Sequence, residues 1–90
     1  MAPLHTILVV DDEADVVASI QDLLRLDFHV LGATRAHDGL RILNEQHVHV
    51  ILSDQRMPGM SGVELLRRVR EEHPEITRLL FTGYADLKAV

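Results

Sequence analysis

Two short apolar runs, each closed by acid, limit what this chain can become. Thr6-Ile7-Leu8-Val9-Val10 is continuous and β-branched, and it runs into Asp11, Asp12 and Glu13. Val48, Val50, Ile51 and Leu52 form a second run, which leads to Asp54 and then to the Pro58-Gly59 turn. Continuous apolar runs of this length, bounded by turn residues, read as strands buried on both faces. A buried strand that ends in an acid and hands over to a turn and a helix sets that acid at the carboxyl edge of a parallel sheet. Open α/β sheets bind their ligands at that edge. Taken alone, Asp54 could equally begin a turn, where Asp is common.

Between and after these runs the period changes. Val16, Ile20, Leu23 and Leu24 recur on one helical face from Ala14 onward. Phe28 to Ala33 is a weaker strand whose modest apolarity suggests a sheet edge. Ala36 to Gln46 predicts a helix with Ala36, Leu40 and Leu43 on one side. Ser61 and Glu64 have capping-box spacing at the start of a further helix, with Val63, Leu66 and Val69 inward and Arg67, Arg68, Glu71 and Glu72 wet. Pro74 stops that helix, and His73 before it is pushed out of helical angles. Thr77 to Thr82 predicts a fourth strand. Asp86 reads as the N-cap of a helix that begins just before Val90. The resulting β-α-β-α-β-α-β order argues an α/β fold, a doubly wound parallel sheet with strand order 2-1-3-4.

Ninety residues bound this to one domain. A net charge of −5, with Lys+Arg 9 against Asp+Glu 14, excludes the basic footprint of a nucleic-acid module. Cysteine is absent, so disulfides and thiol chemistry are excluded. No apolar run reaches membrane-spanning length, and the N-terminus lacks the pattern of a signal peptide. A cytoplasmic location is the expectation, with neither membrane nor direct nucleic-acid binding by these residues.

In the 2-1-3-4 order the first and third strands are neighbours, about 4.8 Å apart. Asp11 and Asp12 end one and Asp54 the other, so three carboxylates share one edge. Two unit charges about 4 Å apart repel by roughly 4 kcal/mol at an effective dielectric of about 20. Such a cluster calls for a cation, and an all-oxygen site with room for water suits Mg²⁺. Thr82 brings a hydroxyl to the same edge, and Gly83 leaves space beside it. An acid, a metal and a hydroxyl around an open pocket is an arrangement for phosphoryl chemistry.

Val9-Val10-Asp11-Asp12-Glu13, then Asp54 with Met57-Pro58-Gly59-Met60-Ser61-Gly62, then Phe81-Thr82-Gly83-Tyr84 closely resemble the receiver domain of two-component response regulators. The resemblance spans essentially all of the chain. It implies the flavodoxin-like fold and a phosphoacceptor aspartate at Asp54, loaded from the phosphohistidine of a sensor histidine kinase or a phosphotransfer protein. It further implies Asp12 as a direct Mg²⁺ ligand, Asp11 as a ligand directly or through water, and the backbone carbonyl of Arg56 as the third protein ligand. Thr82 matches the switch residue, and Gly83 the small residue that admits the phosphodonor. The signal would pass to an output domain in a longer chain or to a partner protein. The wording of the motifs looks most like regulators joined to large outputs such as enhancer-binding transcription activators or cyclic-dinucleotide phosphodiesterases. The family's fifth strand, with its lysine, and its fifth helix have no match here. Lys88 falls at the start of the expected fourth helix and is not that lysine. Without those parts the fourth strand would be an apolar edge prone to association, a homodimer included.

The resemblance thus implies a signalling phosphoacceptor with weak self-catalysed transfer, and not a turnover enzyme. A haloacid-dehalogenase-type phosphatase needs Asp-x-Asp after its first strand, and here the pair is adjacent. Nucleotide binding lacks a Gly-rich phosphate loop. A phosphorylation-independent interaction module on the same fold remains the alternative. His47 and His49 form His-x-His, with no third ligand evident in the sequence.

Overall fold

In a computed structural model describing residues 4–81 and 87–90, each buried run is a strand. The elements are β1 (His5–Val10), α1 (Ala14–Leu24), β2 (Phe28–Ala33), α2 (Ala36–Glu45), β3 (Val50–Asp54), α3 (Gly62–Glu72), β4 (Thr77–Phe81) and β5 (Leu87–Ala89). They form a single sheet of order β2-β1-β3-β4-β5. The first four strands are parallel in the expected 2-1-3-4 order, with β2 at the edge.

Alternation along the strands sends side chains to two cores. Leu8, Val10, Ile51 and Leu80 point to one face, where they meet Leu40 and Leu43 of α2 and Leu65, Leu66 and Val69 of α3. Ile7 and Val9 point to the other and meet Val17 of α1, with Ile20, Leu24 and Val30 alongside. Leu8, Ile51, Leu65 and Leu66 have no exposed surface, and burying each such side chain contributes about 1.5–3 kcal/mol.

Three expectations need correction. The inward face of α1 is centred on Val17, Ile20 and Leu24, while Leu23 is 76% exposed. Gln21 holds a place in that face by donating its side-chain N–H to the Val30 carbonyl at 3.3 Å, a polar residue that the apolar pattern passes over. At the C-terminal end, Leu87–Ala89 is not the start of a helix but a strand antiparallel to β4, pairing Leu79 with Ala89 and Phe81 with Leu87. Lys88 therefore lies on a strand. The five residues between Phe81 and Leu87 are too few for a parallel crossover, which takes a dozen or more, so the returning strand runs antiparallel. Arg78 anchors the return. Its guanidinium donates to the carbonyls of Val90 (2.9 Å), Pro74 (3.2 Å) and Ile76 (2.8 Å). The β4 edge is thus partly paired, contrary to the open edge expected. Asp86, expected as an N-cap, lies outside the described residues.

Candidate functional site

The strand register alone brings the acids together. Val10 pairs with Ser53 across β1 and β3, and one residue further along come Asp11 and Asp54. Asp12 follows directly. Oxygens of Asp11, Asp12 and Asp54 all lie within 4.8 Å of one another. Among the described residues no other group of three His, Cys, Asp or Glu side chains converges this closely.

Each acid sits in a different setting. Asp11 is buried, Asp54 half-buried and Asp12 exposed. The Asp11 N–H donates to the Ala33 carbonyl at 3.1 Å, which extends β1 by one residue. Its Oδ1 accepts the Glu13 backbone N–H at 2.9 Å. This Asx-type bond turns the chain from strand into α1. Burial pushes the Asp11 carboxyl above its usual range. The Glu13 N–H opposes that shift, and the charges of Asp54, Asp12 and Glu13 add to it.

Asp54 is held by its backbone. The Ser53 hydroxyl, fully buried, donates to the Asp54 carbonyl at 2.9 Å. A Cβ on Gly62 would overlap that same carbonyl oxygen, so only glycine lets the start of α3 approach β3 here. The expected capping box is formed in full: Ser61 Oγ accepts the Glu64 N–H at 3.2 Å, and the Glu64 carboxylate accepts the Ser61 N–H. Gly59 supplies the positive φ of +84° in the preceding turn. Arg56 is exposed and lines, with Asp11, Asp12, Glu13, Asp54 and Phe81, an open cleft of about 390 Å³. Sequence reasoning missed Glu13 and Phe81 as walls of this cleft and Gly62 as the contact that seats it. Thr82 and Gly83, expected at the same edge, lie outside the described residues.

Three carboxylates converging on an open cleft, one of them buried and destabilised by its neighbours, fit a hard dication with oxygen ligands and bound water. The opposite edge of the sheet does not offer a second metal site. His5 and His47 pack edge-on against His49 with ring centroids 4.7 and 4.6 Å away. The Nδ1 of His49, however, accepts the Thr6 N–H at 2.9 Å, so its proton sits on Nε2 and neither nitrogen is open to a metal.

Residues 7–90 match the family model described as the response regulator receiver domain. The chain is 47% identical over 81 residues to the hydrogenase transcriptional regulatory protein HoxA of Cupriavidus necator, covering 90% of this chain and 17% of that protein. It thus spans under a fifth of that relative's length. A response regulator receiver domain protein from Clostridium thermocellum superposes with a TM-score of 0.85 at 36% identity, over 92% of this chain and 68% of the other. The response regulator protein TrrA of Thermotoga maritima, solved in complex with Mg(2+)-BeF, superposes with a TM-score of 0.85 at 25% identity, over 91% of this chain and 72% of that one.

Proposed function

This chain belongs to the response regulator receiver domain family, and from that premise we propose that Asp54 is its phosphoacceptor and that Asp11, Asp12 and Asp54 hold Mg²⁺. The observation that carries the reading is the convergence of the three carboxylates at the ends of adjacent strands. The similar TrrA, solved with Mg(2+)-BeF, supports it, since beryllofluoride has the tetrahedral form of a phosphoryl group. The backbone carbonyl of Arg56 completes the ligand set in this reading.

Asp54 is half-buried at the cleft and presents a carboxylate that attacks the phosphorus of a donor phosphohistidine. The new P–O bond forms as the P–N bond breaks, and the imidazole leaves with the electron pair. Held by Asp11, Asp12 and Asp54, Mg²⁺ would supply charge neutralisation for the phosphoryl oxygens. Asp11 orients α1 through its Glu13 bond while lending charge to the same cleft. Thr82 is the proposed switch residue, and Gly83 keeps donor access open. The donor is a sensor histidine kinase or phosphotransfer protein in the cytoplasm, and the load is read by an output domain or partner. The chain relays a phosphoryl group and is not a turnover enzyme.

Intact-protein mass spectrometry after incubation with a small phosphodonor and Mg²⁺ tests this. A gain of one phosphoryl group that disappears in Asp54→Asn is the expected result. No gain in this chain or in a version extended through the family's fifth strand would overturn it in favour of a phosphorylation-independent interaction module, whereas gain in the extended version alone would show that transfer needs that strand's lysine.

A further inference from the structure

The start of α3 borders the acid cleft, and one side chain fastens it there. The first backbone N–H groups of a helix have no partner inside it. Here the Gly62 N–H donates to the Gln55 carbonyl at 3.0 Å and the Val63 N–H to Gln55 Oε1 at 2.9 Å. The next two, from Glu64 and Leu65, end on the Ser61 hydroxyl and carbonyl. The Gln55 N–H in turn donates to the Phe81 carbonyl at 3.2 Å, at the end of β4. Gln55 is therefore tied both to α3 and to β4. It also stands between Asp54 and Arg56, whose carboxylate and carbonyl the proposed function uses.

We infer that Gln55 is a positioning residue for the cation site. By capping α3, its side-chain oxygen holds the backbone of 54–56, so that the Asp54 carboxylate stays converged with those of Asp11 and Asp12 and the neighbouring Arg56 carbonyl, a proposed ligand, is fixed with it. The inference rests on the Mg²⁺ reading given above. Without Oε1 the Val63 N–H loses its partner, and the 54–56 segment gains freedom that cation binding must then remove. Partners that orient metal ligands in this indirect way typically change affinity by about 10–100-fold. Ser61 provides the control. Its hydroxyl caps the same helix on one N–H, that of Glu64, yet it is not adjacent to a proposed ligand.

The test is calorimetric titration of Mg²⁺ into the wild-type chain, Gln55→Met, Gln55→Asn and Ser61→Ala, with urea unfolding run in parallel. Gln55→Asn keeps the amide but is one methylene short of Val63, and it serves if Gln55→Met does not fold. The expectation is about tenfold weaker Mg²⁺ binding in the Gln55 variants. Ser61→Ala should lose stability and bind as the wild type does. Wild-type affinity in the Gln55 variants would overturn the inference while leaving the site intact. Equal weakening in Ser61→Ala would also overturn it, in favour of general fraying of α3. A wild-type chain that binds no Mg²⁺ would overturn the site itself, and the inference with it.

Discussion

Asp11 shows how one residue serves two ends at once. Its carboxylate turns β1 into α1 through the Glu13 N–H, and the same group is held in an unfavourable charge state by burial and by Asp54 and Asp12. Asp11→Asn keeps the acceptor oxygen and removes the charge. It should melt several degrees higher than the wild type without Mg²⁺, since about 1 kcal/mol moves the Tm of a domain this small by about 4–8 °C. Its response to Mg²⁺ should shrink. A melting curve at low and high Mg²⁺ checks both. Asp12→Ala should lose the Mg²⁺ response as well, with a smaller gain in the metal-free state, because Asp12 is exposed. Gly62 has the opposite character. Gly62→Ala drives a methyl into the Asp54 carbonyl and should cost about 1–3 kcal/mol in urea unfolding. The acids were legible in the sequence because they follow apolar strand runs, Asp11 and Asp12 directly after Val10 and Asp54 beyond Leu52 with only Ser53 between. Gly62 was visible only as part of a motif, since the chain order does not show that helix and strand touch there.

At the level of elements, α1 marks the limit of periodicity as a guide. Val16 and Val17 are adjacent, and each starts an apolar repeat. The choice between them depends on Gln21, whose bond to Val30 gives a polar side chain an inward place. Val17→Ala should cost about 2 kcal/mol, counting about 0.8 per lost methylene plus the cavity. Leu23→Ala should change stability by less than about 0.5 kcal/mol. Urea midpoints for the two separate the faces. The histidine trio lies across β1 and the approach to β3, where only the strand register could bring His5 to His49. Half-burial lowers the His49 pKa, and His47 and His5 lower it further. Protons therefore favour the unfolded chain. The stability contributed by neutral His49 is complete above its unfolded pKa of about 6.5 and is lost as pH falls below that value. The urea midpoint should drop between pH 7.5 and 5.5, and His49→Gln should drop less.

Over the whole molecule, order and site follow from one sheet. The 2-1-3-4 order was legible because alternating strands and helices with short connections leave few right-handed windings. The fifth strand was not. Leu87–Ala89 is too short to show a period, and its pairing depends on Arg78 anchoring the chain beyond it. β1 and β3 are flanked by strands on both sides, while β2 forms an edge. Amide exchange should therefore be slowest in β1 and β3 and faster on the outer side of β2, measured by mass spectrometry on peptides. The same sheet order has a consequence for synthesis. β1 does not pair only with the strand that follows it; it also waits for β3, and the Thr6–His49 bond closes a span of 43 residues. At about 5–20 residues per second, roughly 2–9 s pass between the making of Asp11 and of Asp54. Through that interval the nascent chain carries Asp11 and Asp12, two of the three cleft acids, without the third. The proposed dication site does not exist until β3 has been made and has paired with β1, so a dication held there would follow this long-range closure and not template the early steps.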